Sequence, residues 1–153
     1  MKYLVILFSM LSLTTYAQKW QFKAGIVSPL PVDVMLQTTI QLKSCMGEAS
    51  YKLSPKFKAT FNAGYLVQNY RYDEAFATIV SLPGLRYTIN ETLYVGGSYG
   101  YAHFSENIHD YEMLWSPYIG IQGKKLSCDM RYFNYRQINN SLNTLGLVIS
   151  YIL

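Results

Sequence analysis

Residues 57–68 read FKATFNAGYLVQ. The odd positions are Phe57, Ala59, Phe61, Ala63, Tyr65 and Val67, all apolar; the even ones are Lys58, Thr60, Asn62, Gly64, Leu66 and Gln68. Successive side chains of a strand point to opposite faces, so this stretch is a strand with one apolar and one polar face. The same alternation sets Trp20, Phe22, Ala24 and Ile26 against Gln21, Lys23 and Gly25. It sets Leu126, Cys128, Met130 and Tyr132 against Ser127, Asp129 and Arg131, and it returns at Leu145, Leu147, Ile149, Tyr151 and Leu153.

Turn formers divide the chain into eight expected strands, near 19–27, 45–53, 57–70, 78–89, 93–104, 114–123, 126–136 and 142–152. Ser54-Pro55-Lys56, Asn90-Glu91-Thr92 and Lys124-Lys125 are tight turns, whereas 28–44, 71–77, 105–113 and 137–141 are longer polar links. Val34, Leu36, Thr38, Ile40 and Leu42 alternate as well, so the second strand can be drawn further back, with a change of face through a bulge near Lys43. Short turns at one end and long loops at the other are the pattern of a barrel that crosses a membrane with strands.

Composition narrows the class. Of 153 residues 50% are hydrophobic and 14% charged, where an average soluble domain has roughly 25% charged. With 15 Tyr and 7 Phe this excludes a disordered chain or a coiled coil. The formal charge is +4, but the densest basic spot is Lys124-Lys125, which gives nucleic-acid binding no footing. At the start, Lys2 precedes the apolar run Tyr3–Leu13, and Thr15-Tyr16-Ala17 offers small residues for a signal peptidase. Residues 1–17 are therefore expected to be a signal peptide cut between Ala17 and Gln18, and 18–153 the barrel domain. Cys45 and Cys128 fall on second and seventh strands, which are not neighbours, so two separate thiols are expected rather than a disulfide.

Size decides which face lies outside. An apolar lumen would have to hold Phe57, Phe61, Tyr65, Tyr87, Trp115, Tyr132 and Tyr151, and eight strands leave an interior only just wide enough to be filled by side chains. Gly25, Gly64, Gly96, Ser98, Gly100, Gly120 and Gly146 make the polar face the better filling. With the apolar face outward, Trp20, Tyr51, Phe57, Tyr87 and Tyr151 form a girdle near the turns, and Tyr101, Trp115 and Tyr132 one toward the loops.

On this pattern the mature chain resembles the small eight-stranded outer-membrane barrels of the OmpA/OmpX type. Such barrels commonly end in an aromatic residue; here Tyr151 stands two places before the end. The resemblance implies an all-β, eight-stranded antiparallel up-and-down transmembrane β-barrel with a porin-like fold, short periplasmic turns and longer outer loops, in the outer membrane of a Gram-negative bacterium. Its implied partners are outer-membrane lipid and lipopolysaccharide, the outer-membrane assembly machinery and a surface protein partner. The family holds structural proteins, adhesins and a few lipid-modifying enzymes, so it does not by itself assign an activity.

His103 and Ser105 resemble the His-x-Ser pair of lipid A deacylases, but there the pair lies nearer the C-terminus, and only Glu106 or Glu112 could orient it. His109, Asp110 and Glu112 put three ligand types within four residues, but with no partner elsewhere in the sequence they read as a solvated loop. No catalytic, cofactor or metal site is expected. The informative set is inward: Lys23, Glu48, Arg86, Asp129 and Arg131, of which Glu48, Arg86, Asp129 and Arg131 lie at comparable distances from their own turns, with Lys52 and Lys58 nearer water. Glu48 is expected to pair with Arg86 or Arg131 across the lumen, because a guanidinium fork holds a carboxylate with two bonds. The expected function is a non-catalytic barrel, plugged by polar and charged side chains, that acts structurally or through its outer loops. The alternatives are a deacylase-like barrel using His103 and Ser105, and a soluble periplasmic barrel around a small apolar ligand.

Overall fold

The structure, a computed structural model, describes residues 19–29, 38–40, 44–70, 74–104, 111–136 and 141–153. Among them every regular element is a strand: β1 (Trp20–Pro29), β2 (Thr38–Ile40), β3 (Ser44–Lys52), β4 (Phe57–Tyr70), β5 (Glu74–Thr88), β6 (Leu93–Phe104), β7 (Tyr111–Gln122), β8 (Leu126–Arg136) and β9 (Ser141–Ile152). The expected signal peptide and its cleavage site lie outside the described residues.

All pairings are antiparallel. β3 through β8 each bond to the next strand in the chain, and β1 bonds to both β3 and β9, with Ala24 opposite Tyr151 and Val27 opposite Val148. The sheet thus closes on itself as an eight-stranded barrel through the β1–β9 and β4–β5 pairings. The short β2 lies on the far end of β4, Ile40 opposite Gln68. Between it and β3, where Cys45 faces Tyr65, the register shifts by two residues. A two-residue shift preserves alternation, so the expected change of face near Lys43 is corrected: the strand does start earlier, as a separate piece, without switching parity.

Two other boundaries move. β5 begins at Glu74 rather than 78, and β7 at Tyr111 rather than 114, because the ladder with β4 runs on to Tyr70–Glu74 and that with β6 to His103–Tyr111. Backbone donors and acceptors continue to pair past the point where the apolar pattern fades. The tight turns are made by their own side chains. Asn90 Oδ1 accepts from the amides of Thr92 (3.0 Å) and Leu93 (2.7 Å), and Ser54 Oγ accepts from that of Phe57 (3.1 Å).

The apolar face is outside. Phe22, Ile26, Phe61, Tyr65, Ile79, Ile119, Met130 and Ile149 are exposed, while Lys23, Asn62, Leu66, Val80, Tyr118, Asp129, Arg131 and Val148 of the opposite parity are buried. Pro83 and Pro117 sit mid-strand on this outer face. The β5–β6 ladder skips Leu82 and Pro83, and the β7–β8 ladder skips Ser116 and Pro117, as expected where a residue has no amide to donate.

The inward face is divided into two storeys, where the sequence suggested a uniformly polar filling. The turn half holds Lys23, Glu48, Arg86, Asp129 and Arg131; the loop half is an apolar core of Val27, Met46, Leu66, Val80, Leu82, Leu114, Phe133 and Val148. These residues escaped the alternation argument because their strands are apolar on both faces near the loop end, as in Ile79-Val80 and Tyr132-Phe133.

Candidate functional site

The turn-half storey is built from six strands. Lys23 comes from β1, Glu48 from β3, Arg86 from β5, Tyr94 from β6, Tyr118 from β7, and Asp129 with Arg131 from β8. Each sits at an inward position of its strand. Relative exposure is 1% for Arg86 and Arg131, 2% for Asp129, 3% for Lys23 and 6% for Glu48, so the group is almost wholly buried.

Glu48 Oε2 accepts from Arg86 Nη2 and lies 3.4 Å from Arg131 Nη2. Arg131 also donates to Asp129 Oδ2 at 3.2 Å. Two guanidinium groups therefore share one carboxylate, and because β4 separates β3 from β5 while β1 and β9 separate β3 from β8, both contacts span the lumen. Burying these charges is tolerable only because they neutralise one another.

Two tyrosines, overlooked in the sequence, complete the arrangement. The Tyr94 hydroxyl donates to Asp129 Oδ1 and accepts from Lys23 Nζ at 3.5 Å. Arg86 lies 4.3 Å and Lys23 4.9 Å from the Tyr94 ring centroid, and Arg131 4.1 Å from that of Tyr118, distances at which the ring faces attract cations. Each ring lies over a glycine of the neighbouring strand, Tyr94 opposite Gly120 and Tyr118 opposite Gly96. A Cβ on Gly120 would come within 2.7 Å of the Tyr94 hydroxyl, and one on Gly96 within 2.7 Å of the Leu85 carbonyl oxygen. The signal was present: Tyr94-Val95-Gly96 and Tyr118-Ile119-Gly120 both place Tyr on the polar parity two residues from a Gly.

Asn62 extends the polar storey, donating to Ser98 Oγ at 3.1 Å and to the Leu82 carbonyl at 3.3 Å. A cavity of about 10 Å³ remains beside Lys23, Glu48, Asp129 and Arg131, roughly the room one water needs. Outside, Trp20 packs on Tyr51 (5.1 Å), Phe57 on Tyr87 (5.0 Å) and Trp115 on Tyr132 (6.0 Å), while Tyr101 and Tyr151 are exposed. All eight girdle residues thus lie on the outward face.

The remaining candidates do not assemble. His103 is half-buried, on the outward parity between Ile79 and Tyr111. Ser105, Glu106, His109 and Asp110 lie outside the described residues, and Glu112 is half-buried. Among the described residues no three His, Cys, Asp or Glu side chains come together as metal ligands. Cys45 and Cys128 are separate thiols on strands with β1 and β9 between them.

An apolar outside, an ion-paired inside and full closure define the small eight-stranded barrel fold found in outer-membrane proteins. Comparison with solved structures bears on the fold. The chain is similar to the outer-membrane protein Ail of Yersinia pestis in a phospholipid nanodisc, at TM-score 0.61 and 13% identity over 88% of this chain and 99% of that one. It is similar to a de novo designed transmembrane β-barrel at TM-score 0.58 and 14% identity, covering 87% and 95% of the two chains. The N-terminal β-barrel domain of Pseudomonas aeruginosa OprF matches at TM-score 0.51 and 11% identity, covering 87% and 97%. No protein-family model matches, and neither does any curated protein sequence.

Proposed function

We propose that the chain is a non-catalytic outer-membrane barrel, a structural or surface-interaction protein whose lumen carries no solute. One observation carries the reading: an exposed apolar face surrounds an interior in which the largest buried side chains are Arg86 and Arg131. In water that arrangement is inverted, whereas in a bilayer it satisfies both sides of the wall. The turns would face the periplasm and the connections at 30–37, 71–73, 105–110 and 137–140 the exterior, where lipopolysaccharide or a surface protein would meet them. The apolar storey above the ion pairs supports a lumen closed from the loop end.

The test has two parts. In a cell fractionation the protein is expected with outer membranes, and to run faster on a gel unheated than boiled. Reconstituted into liposomes, it is expected to leave small-sugar swelling rates at the protein-free level. Release by osmotic shock without detergent would overturn the membrane assignment, and sugar-driven swelling would overturn the closed lumen. Fatty-acid release from lipopolysaccharide by the purified barrel, lost on His103→Ala, would replace the reading with a lipid-modifying enzyme.

A further inference from the structure

Below the ion cluster, at the turn end, the lumen opens into a vestibule of about 240 Å³. Lys52, Lys58, Arg86, Glu91, Tyr94 and Gln122 are among the residues lining it. Its charge is lopsided. The vestibule and the cluster behind it hold five cations, Lys23, Lys52, Lys58, Arg86 and Arg131, against three carboxylates, Glu48, Glu91 and Asp129. Arg86, at the boundary between the two, spends Nη2 on Glu48; its Nε and Nη1 make no hydrogen bond of normal geometry among the described residues, the Tyr118 hydroxyl being a further partner of the guanidinium, although it is 1% exposed. Lys58 gives one bond to Gln21 Oε1, at 2.9 Å, and keeps donors in reserve; Lys52 is exposed at the rim.

We propose that this vestibule binds a phosphate group, held by Lys52 and Lys58 with Arg86 behind them. Two uncompensated positive charges match the charge of a phosphate monoester, about −1.5 to −2 at neutral pH. Lysine ammonium groups and a guanidinium fork are the donors that phosphate oxygens recognise, through short charge-assisted bonds. The volume is below the roughly 300–1,000 Å³ of pockets for drug-sized ligands, which suits a phosphate with a small substituent. The source can be a lipid headgroup of the surrounding leaflet or a soluble phosphate ester; both present the same oxygens. The site needs the barrel fold and not the compartment assigned above, so it stands or falls separately from the fractionation result.

The experiment uses the isotopically labelled full barrel extracted in zwitterionic detergent, titrated with inorganic phosphate and followed by backbone amide shifts. Saturable shifts are expected at residues 52–58 and 86–94 and not at the apolar storey. Lys52→Gln with Lys58→Gln is expected to weaken binding about tenfold or more, the loss of one or two charge-assisted bonds. Lys124→Gln with Lys125→Gln removes the same charge from the same end outside the vestibule, and is expected to change affinity less than about twofold if the bonds are specific, since exposed charges act weakly in salt. Both variants alter rim or turn residues, and heat-modifiable mobility verifies that each is folded. Absence of saturable shifts up to about 10 mM phosphate, well above the 1 mM scale of a weak specific site, would overturn the proposal. So would equal weakening by the two double variants. Bicelles with phosphatidylglycerol replacing phosphatidylcholine, free of added phosphate, then distinguish the sources. Movement of the same amides identifies the lipid headgroup, and their constancy beside positive phosphate binding identifies a soluble ester.

Discussion

Replacing Glu48 by Ala removes the one carboxylate that two guanidinium groups share. Arg86 then loses its ion-pair partner, Arg131 retains only Asp129, and three buried cations face a single buried acid. Breaking a buried pair by deleting one partner costs about 3–5 kcal/mol, because the remaining charge stays desolvated. With a urea dependence of about 2 kcal/mol per molar, the unfolding midpoint should fall by about 2 M. Glu48→Gln keeps an acceptor oxygen and loses only the charge, so it should lie about halfway between parent and Ala variant. Trp20 and Trp115, at the two girdles, report the transition by fluorescence in detergent or vesicles. The loss should be the same in 0.05 and 0.5 M salt, since ions screen buried pairs far less than exposed ones. A Glu48→Ala barrel that unfolds at the parental midpoint would refute the claim that this carboxylate holds the lumen together. A deficit that salt abolishes would refute the claim that the cluster is dry.

Gly96→Ala should destabilise the barrel by about 1–3 kcal/mol through overpacking against Tyr118 and the Leu85 carbonyl, whereas Gly97→Ala, whose Cβ meets nothing within 4 Å, should leave the heat-modifiable band unchanged; equal behaviour of the two would contradict the ring-on-glycine packing. Tyr94→Phe keeps the ring face under Arg86 but deletes the hydroxyl between Lys23 and Asp129, a loss of about 1.5–3 kcal/mol for bonds to charged groups, to be read as a lower urea midpoint. In the folded barrel, reductant should leave monomer mobility unchanged, since Cys45 and Cys128 are separate thiols; an intramolecular crosslink on mass analysis would contradict the strand order.

The barrel was legible in the sequence because alternation is clear in β1, in β4 apart from Leu66, and over Leu126–Tyr132 of β8, and because a lumen of eight strands cannot hold Phe57, Phe61 and Tyr65 together. That same argument placed Lys23, Glu48, Arg86, Asp129 and Arg131 inside, where similar distances from the turns brought the last four to one level. It failed for Val80, Leu82 and Phe133, since a period of two identifies faces only where they differ in polarity, and these strands are apolar on both. Tyr94 and Tyr118 were hidden for another reason. Their parity with Gly96 and Gly120 already points inward, but a ring fits so narrow a lumen only over the glycine it covers across the strand, and that pairing depends on register. The two-residue shift between β2 and β3 is likewise set by the ladder with β4 rather than by any turn former.

Glu48 and Arg131 are 83 residues apart in the chain, and they meet only once β1 has found β9. Ordering contacts of such separation is slow, because a long segment must be restrained before any of them repays it. An unsealed sheet lying in hydrocarbon would meanwhile leave Lys23 on β1, and Arg131 one strand from β9, on a face open to lipid, at a cost between the roughly 0–1 kcal/mol of the interface and the 2–4 kcal/mol of the bilayer centre. Partly closed intermediates are therefore raised in energy by the very groups that stabilise the finished ring. Seam closure and ion pairing become a single concerted event, so the barrel should open and close as one cooperative unit, with no long-lived form lacking a terminal strand.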